Sequence, residues 1–298
     1  MKRWLIVLLL VISMTLVMAG TASANGGPHG DYTATTDSCA GCHRAHTATG
    51  QNLLVANSTY SLCMSCHGSS GTGANTNVED GLYLSSRDDS LANQDVGAAN
   101  TPDNAPLLGG GFVNYRGTAV TSTHDPTGTT NQAWGAGGER GQLGTIDDNM
   151  DCASCHDPHG SGNYRIIKET INGVSISVSQ VDEGSAKDYD TPHWPANISN
   201  VCGACHDPYQ HATNDTSSYT HAVDVTYSGS TSYTDANGTS VSVPLAANNT
   251  LVCSTCHLAH GTSASMEGYA ANSDLPTGGD SALLREDNRG VCQACHQK

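Results

Sequence analysis

Cys152-Ala-Ser-Cys155-His156-Asp-Pro-His159-Gly160 is the stretch on which the reading of this chain turns. One helical turn brings its two thiols to one side, and the next residue's imidazole falls beneath them. That arrangement suits a haem, whose two vinyl groups take the thiols while the histidine binds the iron from one face. The same pattern recurs at Cys39-Ala-Gly-Cys42-His43, Cys63-Met-Ser-Cys66-His67, Cys202-Gly-Ala-Cys205-His206, Cys253-Ser-Thr-Cys256-His257 and Cys292-Gln-Ala-Cys295-His296. The six copies use all twelve cysteines of the chain. Disulfides need no histidine after every second cysteine, and zinc sites place their histidines at variable spacing. Six covalently bound haems c are therefore expected, with His43, His67, His156, His206, His257 and His296 as the first iron ligands.

A second axial ligand decides whether such an iron is open for chemistry or closed. Methionine is scarce: only Met64, Met150 and Met266 follow the N-terminal segment, and Met64 lies inside a motif. Histidine is not. Eight of the fourteen histidines remain, at 29, 46, 124, 159, 193, 211, 221 and 260. His46, His159 and His260 each stand three residues after a motif histidine, on the same face if the helix continues, so each is expected to reach the iron of a neighbouring haem. Gly160 and Gly261 would let the chain turn away afterwards, and Pro158 should stop regular helix early in the second copy. A repeat emerges: a lone histidine, then Cys-x-x-Cys-His-x-x-His, then a plain Cys-x-x-Cys-His. The lone histidines are His29, His124 and His221, and with His46, His159 and His260 they supply six second ligands. His193 and His211 fall outside the pattern and are the substitutes. In the fourth motif Tyr209 stands where the paired histidine would be. All irons closed by histidine would leave no position for a substrate, so no enzymatic activity is expected.

The paired motifs, together with Pro28-His29-Gly-Asp-Tyr32, Ser122-Thr-His124-Asp125, Cys155-His-Asp-Pro-His159-Gly and Tyr219-Thr-His221-Ala-Val, resemble the doubled-motif multihaem cytochromes c, and among them the extracellular nanowire cytochromes of metal-reducing bacteria. The resemblance covers most of residues 28–298. It implies haems stacked in a continuous chain, head-to-tail homopolymers, and a histidine near one subunit's N-terminus that ligates a haem of the next. His29, behind flexible glycines, is the expected donor, with folding back onto its own unit as the alternative. Redox proteins or extracellular acceptors would be the partners. A monomeric periplasmic shuttle and a multihaem reductase are the rival readings; every motif here ends in histidine, which does not favour the reductase.

Lys2 and Arg3, an apolar run over residues 4–17 and Ala22-Ser23-Ala24 read as a signal peptide cleaved after Ala24. The protein is thus expected outside the cytoplasm, extracellular or at the cell surface and otherwise periplasmic. No cysteine stands near the cleavage point to carry a lipid, and no membrane anchor is expected. The net charge of −16, more negative once Lys2 and Arg3 are removed, argues against nucleic acid as a partner. Only 37% of the chain is hydrophobic and Phe112 is the sole phenylalanine, too little for an ordinary core. The expected fold is a mostly irregular multihaem cytochrome c with stacked haems as its core. Short helical turns should form at the motifs, with a few β-hairpins between them. One domain over residues 25–298 would hold three two-haem units, roughly 25–110, 111–210 and 211–298. Hairpins are expected over Ile166–Val178, with Asn172-Gly173 as a type I′ turn, and over Ala222–Val243, with Asn237-Gly238 at its tip. The Gly109-Gly110-Gly111 run reads as loop.

Overall fold

Each α-helix among the described residues carries cysteines of one motif. The six run Asp37–Ala40, Thr59–His67, Cys152–Cys155, Ser199–Gly203, Cys253–Cys256 and Gly290–Cys295. The computed structural model describes residues 29, 37–72, 74–87, 101–181, 188–214, 221–235, 238–267 and 281–297; the expected signal peptide lies outside them. Five of the helices are a single turn or little more, because nothing in their sequences extends an apolar face. Hydroxyls within the motifs cap two of these turns: the Asp151 amide donates to Ser154 Oγ at 2.9 Å and the Val252 amide to Thr255 Oγ1 at 3.1 Å. No described helix is long and apolar enough to cross a membrane.

Between the helices the described residues make seven two-stranded antiparallel ladders of two or three residues per strand. The first expected hairpin forms over less chain than its apolar run suggested. Thr170–Ile171 pairs with Val174–Ser175, and Asn172 and Gly173 take the positive φ of 48° and 71° that a type I′ turn requires. Beyond the ladder, Ile176 and Val178 are buried without a strand partner, while Val174 stays exposed. The second hairpin is shorter than Ala222–Val243: Ser232–Thr234 pairs with Ser240–Ser242, the expected turn residue Asn237 lies outside the described residues, and Val225–Thr226 pairs instead with Thr250–Leu251. Ser122–Thr123 of the second unit pairs with Gly261–Thr262 of the third, so these two expected units interlock.

The largest apolar cluster sits under the 170–175 hairpin, where Tyr164, Ile167, Ile171, Ile176 and Val178 meet Trp194, Ala204, Ala246 and Val252. The other clusters hold three buried residues each: Ala133, Ala136 and Ile146, and Val243, Val291 and Ala294. Side chains therefore pack between the motifs and do not form one continuous core.

Buried Asn163 organises the largest cluster. Its Nδ2 donates to the carbonyls of Ile176 and Lys168, both at 3.1 Å, and its Oδ1 accepts from the Val178 amide at 2.8 Å. Asn163→Ala would strand a buried amide and two carbonyls, so we expect about 2 kcal/mol lower stability. A lowered guanidinium midpoint, followed by far-ultraviolet circular dichroism, checks this.

Candidate haem sites

The five-residue motif closes one hydrogen bond. The amide of the histidine donates to the carbonyl of the first cysteine, four residues back, at 2.8–3.0 Å for His43, His156, His206, His257 and His296. In the three paired motifs the helix then ends. His156 and His257 turn extended (φ −110°, ψ 142° and φ −116°, ψ 149°), and the histidine backbone bridges Leu54, Ile167 or Leu284. The expected continuation of the helix to His46, His159 and His260 is thus corrected: a β-bridge takes over the backbone before the second histidine. Gly160 turns the chain at φ +95°, as expected. Gly261 instead lies in a strand.

These bridges belong to a threefold repeat that the sequence did not reveal. Two successive residues with left-handed φ follow each paired motif: Asn52-Leu53, Arg165-Ile166 and Ala282-Leu283. The first of each pair turns its carbonyl to the motif histidine. His43 Nδ1 donates to Asn52 at 2.8 Å, His156 Nδ1 to Arg165 at 3.1 Å and His257 Nδ1 to Ala282 at 2.8 Å. In the plain motifs His67 Nδ1 lies 3.3 Å from the Thr76 carbonyl and His206 Nδ1 2.7 Å from that of Trp134. Anchoring Nδ1 in this way leaves Nε2 as the ligating atom and fixes the ring plane.

A second imidazole faces five of the six motif histidines. His159 stands opposite His43, His29 opposite His67, His260 opposite His156, His124 opposite His206 and His221 opposite His296, with ring centres 6.0–6.4 Å apart. An imidazole nitrogen lies about 2 Å from a bound first-row metal and half the ring adds about 1 Å, so two imidazoles across one iron have centres about 6 Å apart. The interplanar angles range from 14° to 67°, as free rotation about a shared axis would allow. Second histidines are anchored too: Nδ1 of His29, His124 and His221 donates to the carbonyls of Pro158, Ala259 and Ala222 at 3.2, 2.6 and 2.9 Å. Burial, and after it the neighbouring imidazoles, pulls His67 down to about 4, with a smaller push from Arg87, and His260 to about 3. Burial likewise lowers His124 and His156. They are neutral at pH 7, the form that binds a metal. The residues fit bis-histidine haem.

Two expected second ligands are placed differently from the expectation. His29, expected to reach a neighbouring copy, faces His67 of its own chain, the fold-back alternative. No imidazole among the described residues faces His46, which is exposed, and none faces His257. Of the substitutes, His211 points its Nε2 at the Pro208 carbonyl at 2.6 Å, with the Arg140 guanidinium alongside, so that nitrogen is taken. His193 anchors Nδ1 on Thr191 at 3.0 Å without facing another imidazole. Tyr209 replaces the paired histidine structurally: its hydroxyl accepts from the Gly141 amide at 2.7 Å.

The motifs follow one another in space in chain order. The thiol of Cys42 feels the charges of Cys63 and Cys66, that of Cys155 feels Cys205, and that of Cys256 feels Cys292 and Cys295. Cys63 and Cys152 are within hydrogen-bonding reach, as are Cys202 and Cys253. None of the twelve cysteines forms a disulfide.

The glycine run read as loop has a specific task at His260. The Gly109 carbonyl accepts the His260 amide at 2.7 Å, the Gly111 amide donates to Gly261 at 3.2 Å, and the Phe112 ring lies 4.7 Å from the His260 ring. Gly110 has φ +82°, and a Cβ there would stand 1.9 Å from the Gly261 carbonyl oxygen. Gly110→Ala should displace His260 and add one haem that binds carbon monoxide on reduction, measured by difference spectroscopy against the unaltered protein.

The family model of the doubled CXXCH motif matches residues 32–72 and 146–174. No curated protein and no solved structure matches the chain. The matched segments hold the first three motifs, whose pattern indicates covalently bound haem c and supports a multihaem c-type cytochrome.

Proposed function

We propose that this chain is a hexahaem electron wire that works outside the cytoplasm and polymerises head to tail. The observation that carries the reading is the succession of six motifs in chain order, five of them with a second imidazole one iron's width away. Successive motifs whose cysteines lie near one another would place neighbouring haems close together, and electrons would pass along such a row one at a time. Bound haem would supply one-electron chemistry between ferric and ferrous iron; the protein's part is to hold the imidazoles in fixed orientation through their Nδ1 hydrogen bonds. Closed irons offer no site for a substrate, which favours conduction over catalysis.

The polymer follows from a regularity in the pairing. His260, after the fifth motif, faces the histidine of the third, and His159, after the third, faces that of the first. The paired histidine always serves the site two motifs back. His46, after the first motif, then has no site in its own chain to serve, while no second imidazole among the described residues faces His257 of the fifth motif. Continued into a preceding copy, the same step puts His46 on that copy's fifth haem. A contact that donates one ligand forward and accepts one behind is heterologous and builds open filaments unless it closes into a ring. His46 thereby takes the role that sequence reasoning assigned to His29.

The haem number is read from intact mass after denaturation: six thioether-linked haems are expected, and free thiols in a matured sample would contradict them. For assembly the variant is His46→Ala. We expect six haems, filaments replaced by single copies in electron micrographs, and one haem per chain that binds carbon monoxide. His29→Ala should open one haem whether or not the copies assemble. His193→Ala is expected to leave both readouts unchanged; opening of one haem in that variant alone would make His193 the own-chain ligand and remove the case for His46.

A further inference from the structure

Arg285 is a buried cation that has no ion-pair partner among the described residues. Its side chain is 7% exposed, Nη2 donates to the Ser254 carbonyl at 2.9 Å, and the guanidinium carbon lies 5.1 Å from the centre of the Trp194 ring. Nε is buried with no hydrogen-bond partner. Among the described residues no carboxylate comes within ion-pair distance of it; the adjacent Glu286 pairs with Arg116 at 3.7 Å. A guanidinium taken out of water without a counter-ion is strongly unfavourable.

The loop itself does not require the charge. Val55, Lys168 and Arg285 occupy one position of the threefold repeat, each donating its amide to the second cysteine of a paired motif, Cys42, Cys155 or Cys256, at 2.9 Å. Val55 builds that loop with no charge at all. What distinguishes Arg285 is therefore its head group, whose planar donors match a carboxylate.

We propose that Arg285 is the counter-charge of a haem propionate, and that this ion pair raises the potential of the haem concerned. The proposal rests on the hexahaem reading above. Haem brings two carboxylates per molecule, and Arg285 bonds directly to the helix that carries the fifth pair of cysteines. A cation beside the propionate opposes the extra positive charge of ferric iron and so favours reduction. The same chemistry has a second source: Arg285 also lines a polar cleft of about 200 Å³ with Tyr115, Arg116 and Glu286, which a dissolved carboxylate could enter.

The test is potentiometric titration of the intact protein carrying Arg285→Met, which keeps the stacking on Trp194, or Arg285→Lys, which keeps the charge. In the methionine variant one of six components should move to lower potential and become more pH-dependent near neutrality, because the unpaired propionate then takes up a proton on reduction. The lysine variant should stay close to the unaltered protein. An unchanged titration in the methionine variant, with all six haems present by mass, overturns the proposal. Should that variant fail to mature, the unaltered protein labelled with 15N-arginine decides. One exchange-protected, hyperfine-shifted Nε–H signal, missing from the lysine variant, is expected, and its absence overturns the proposal. Added acetate should leave the unaltered titration in place; an acetate-dependent shift would assign the site to a dissolved carboxylate and refute the haem source. Failure of the hexahaem reading shows separately, as a mass short of six haems.

Discussion

A single backbone hydrogen bond, from the histidine amide to the carbonyl of the first cysteine, is the geometric unit from which this protein is assembled. It closes one turn, and one turn is all that two thioether bonds and an axial imidazole need. Once that turn exists, the ring must still be oriented, and here the chain repeats itself. A pair of left-handed residues presents a carbonyl to Nδ1 after each paired motif. The cost of placing Leu53, Ile166 and Leu283 at positive φ is real for bulky side chains. It recurs three times at the same place, which is what a fixed ring plane demands.

The poverty of the apolar core has the same origin. Side chains gather into small clusters between the motifs, the largest beneath the 170–175 hairpin, and polar residues such as Asn163 and Ser199 are buried as connectors between backbone segments. The Ser199 hydroxyl accepts from the Cys253 amide at 3.2 Å and so ties the fourth motif to the fifth. Asn172, at the tip of its hairpin, donates to the Ala204 carbonyl inside the fourth motif at 2.9 Å. These ladders and turns serve less to bury surface than to set the distance from one motif to the next. In a multihaem cytochrome that distance is what function depends on.

The pairing of imidazoles joins segments far apart in the chain: 29 with 67, 43 with 159, 156 with 260. Each haem would act as a cross-link between two such segments, covalent on one side and coordinative on the other. Folding and haem attachment are coupled on this view, because the hydrogen bonds that hold several of the second imidazoles also place them one iron's width from their partners. On the proposed reading, the exposed His46 and the unfaced His257 are the two ends of the same regularity, one offering a ligand and the other lacking one.

Much of this was legible in the residues alone. Cys-x-x-Cys-His names its chemistry through covalent spacing, which no tertiary context alters, and the histidine surplus identified the set from which second ligands are drawn. The Asn172-Gly173 turn was readable because positive φ at two successive positions leaves few other choices. The pairing was not readable. Which imidazole faces which depends on chain paths of up to about a hundred residues, so His29 looked free to leave its own chain when in fact it lies over His67. Nor could Gly109-Gly110-Gly111 be told from an ordinary loop, since its role appears only where it passes against His260. Arg285 gave no local sign of burial. Local covalent geometry determined what the chain binds; only the tertiary structure, by bringing distant segments to within one iron's width, decided which residues share a site.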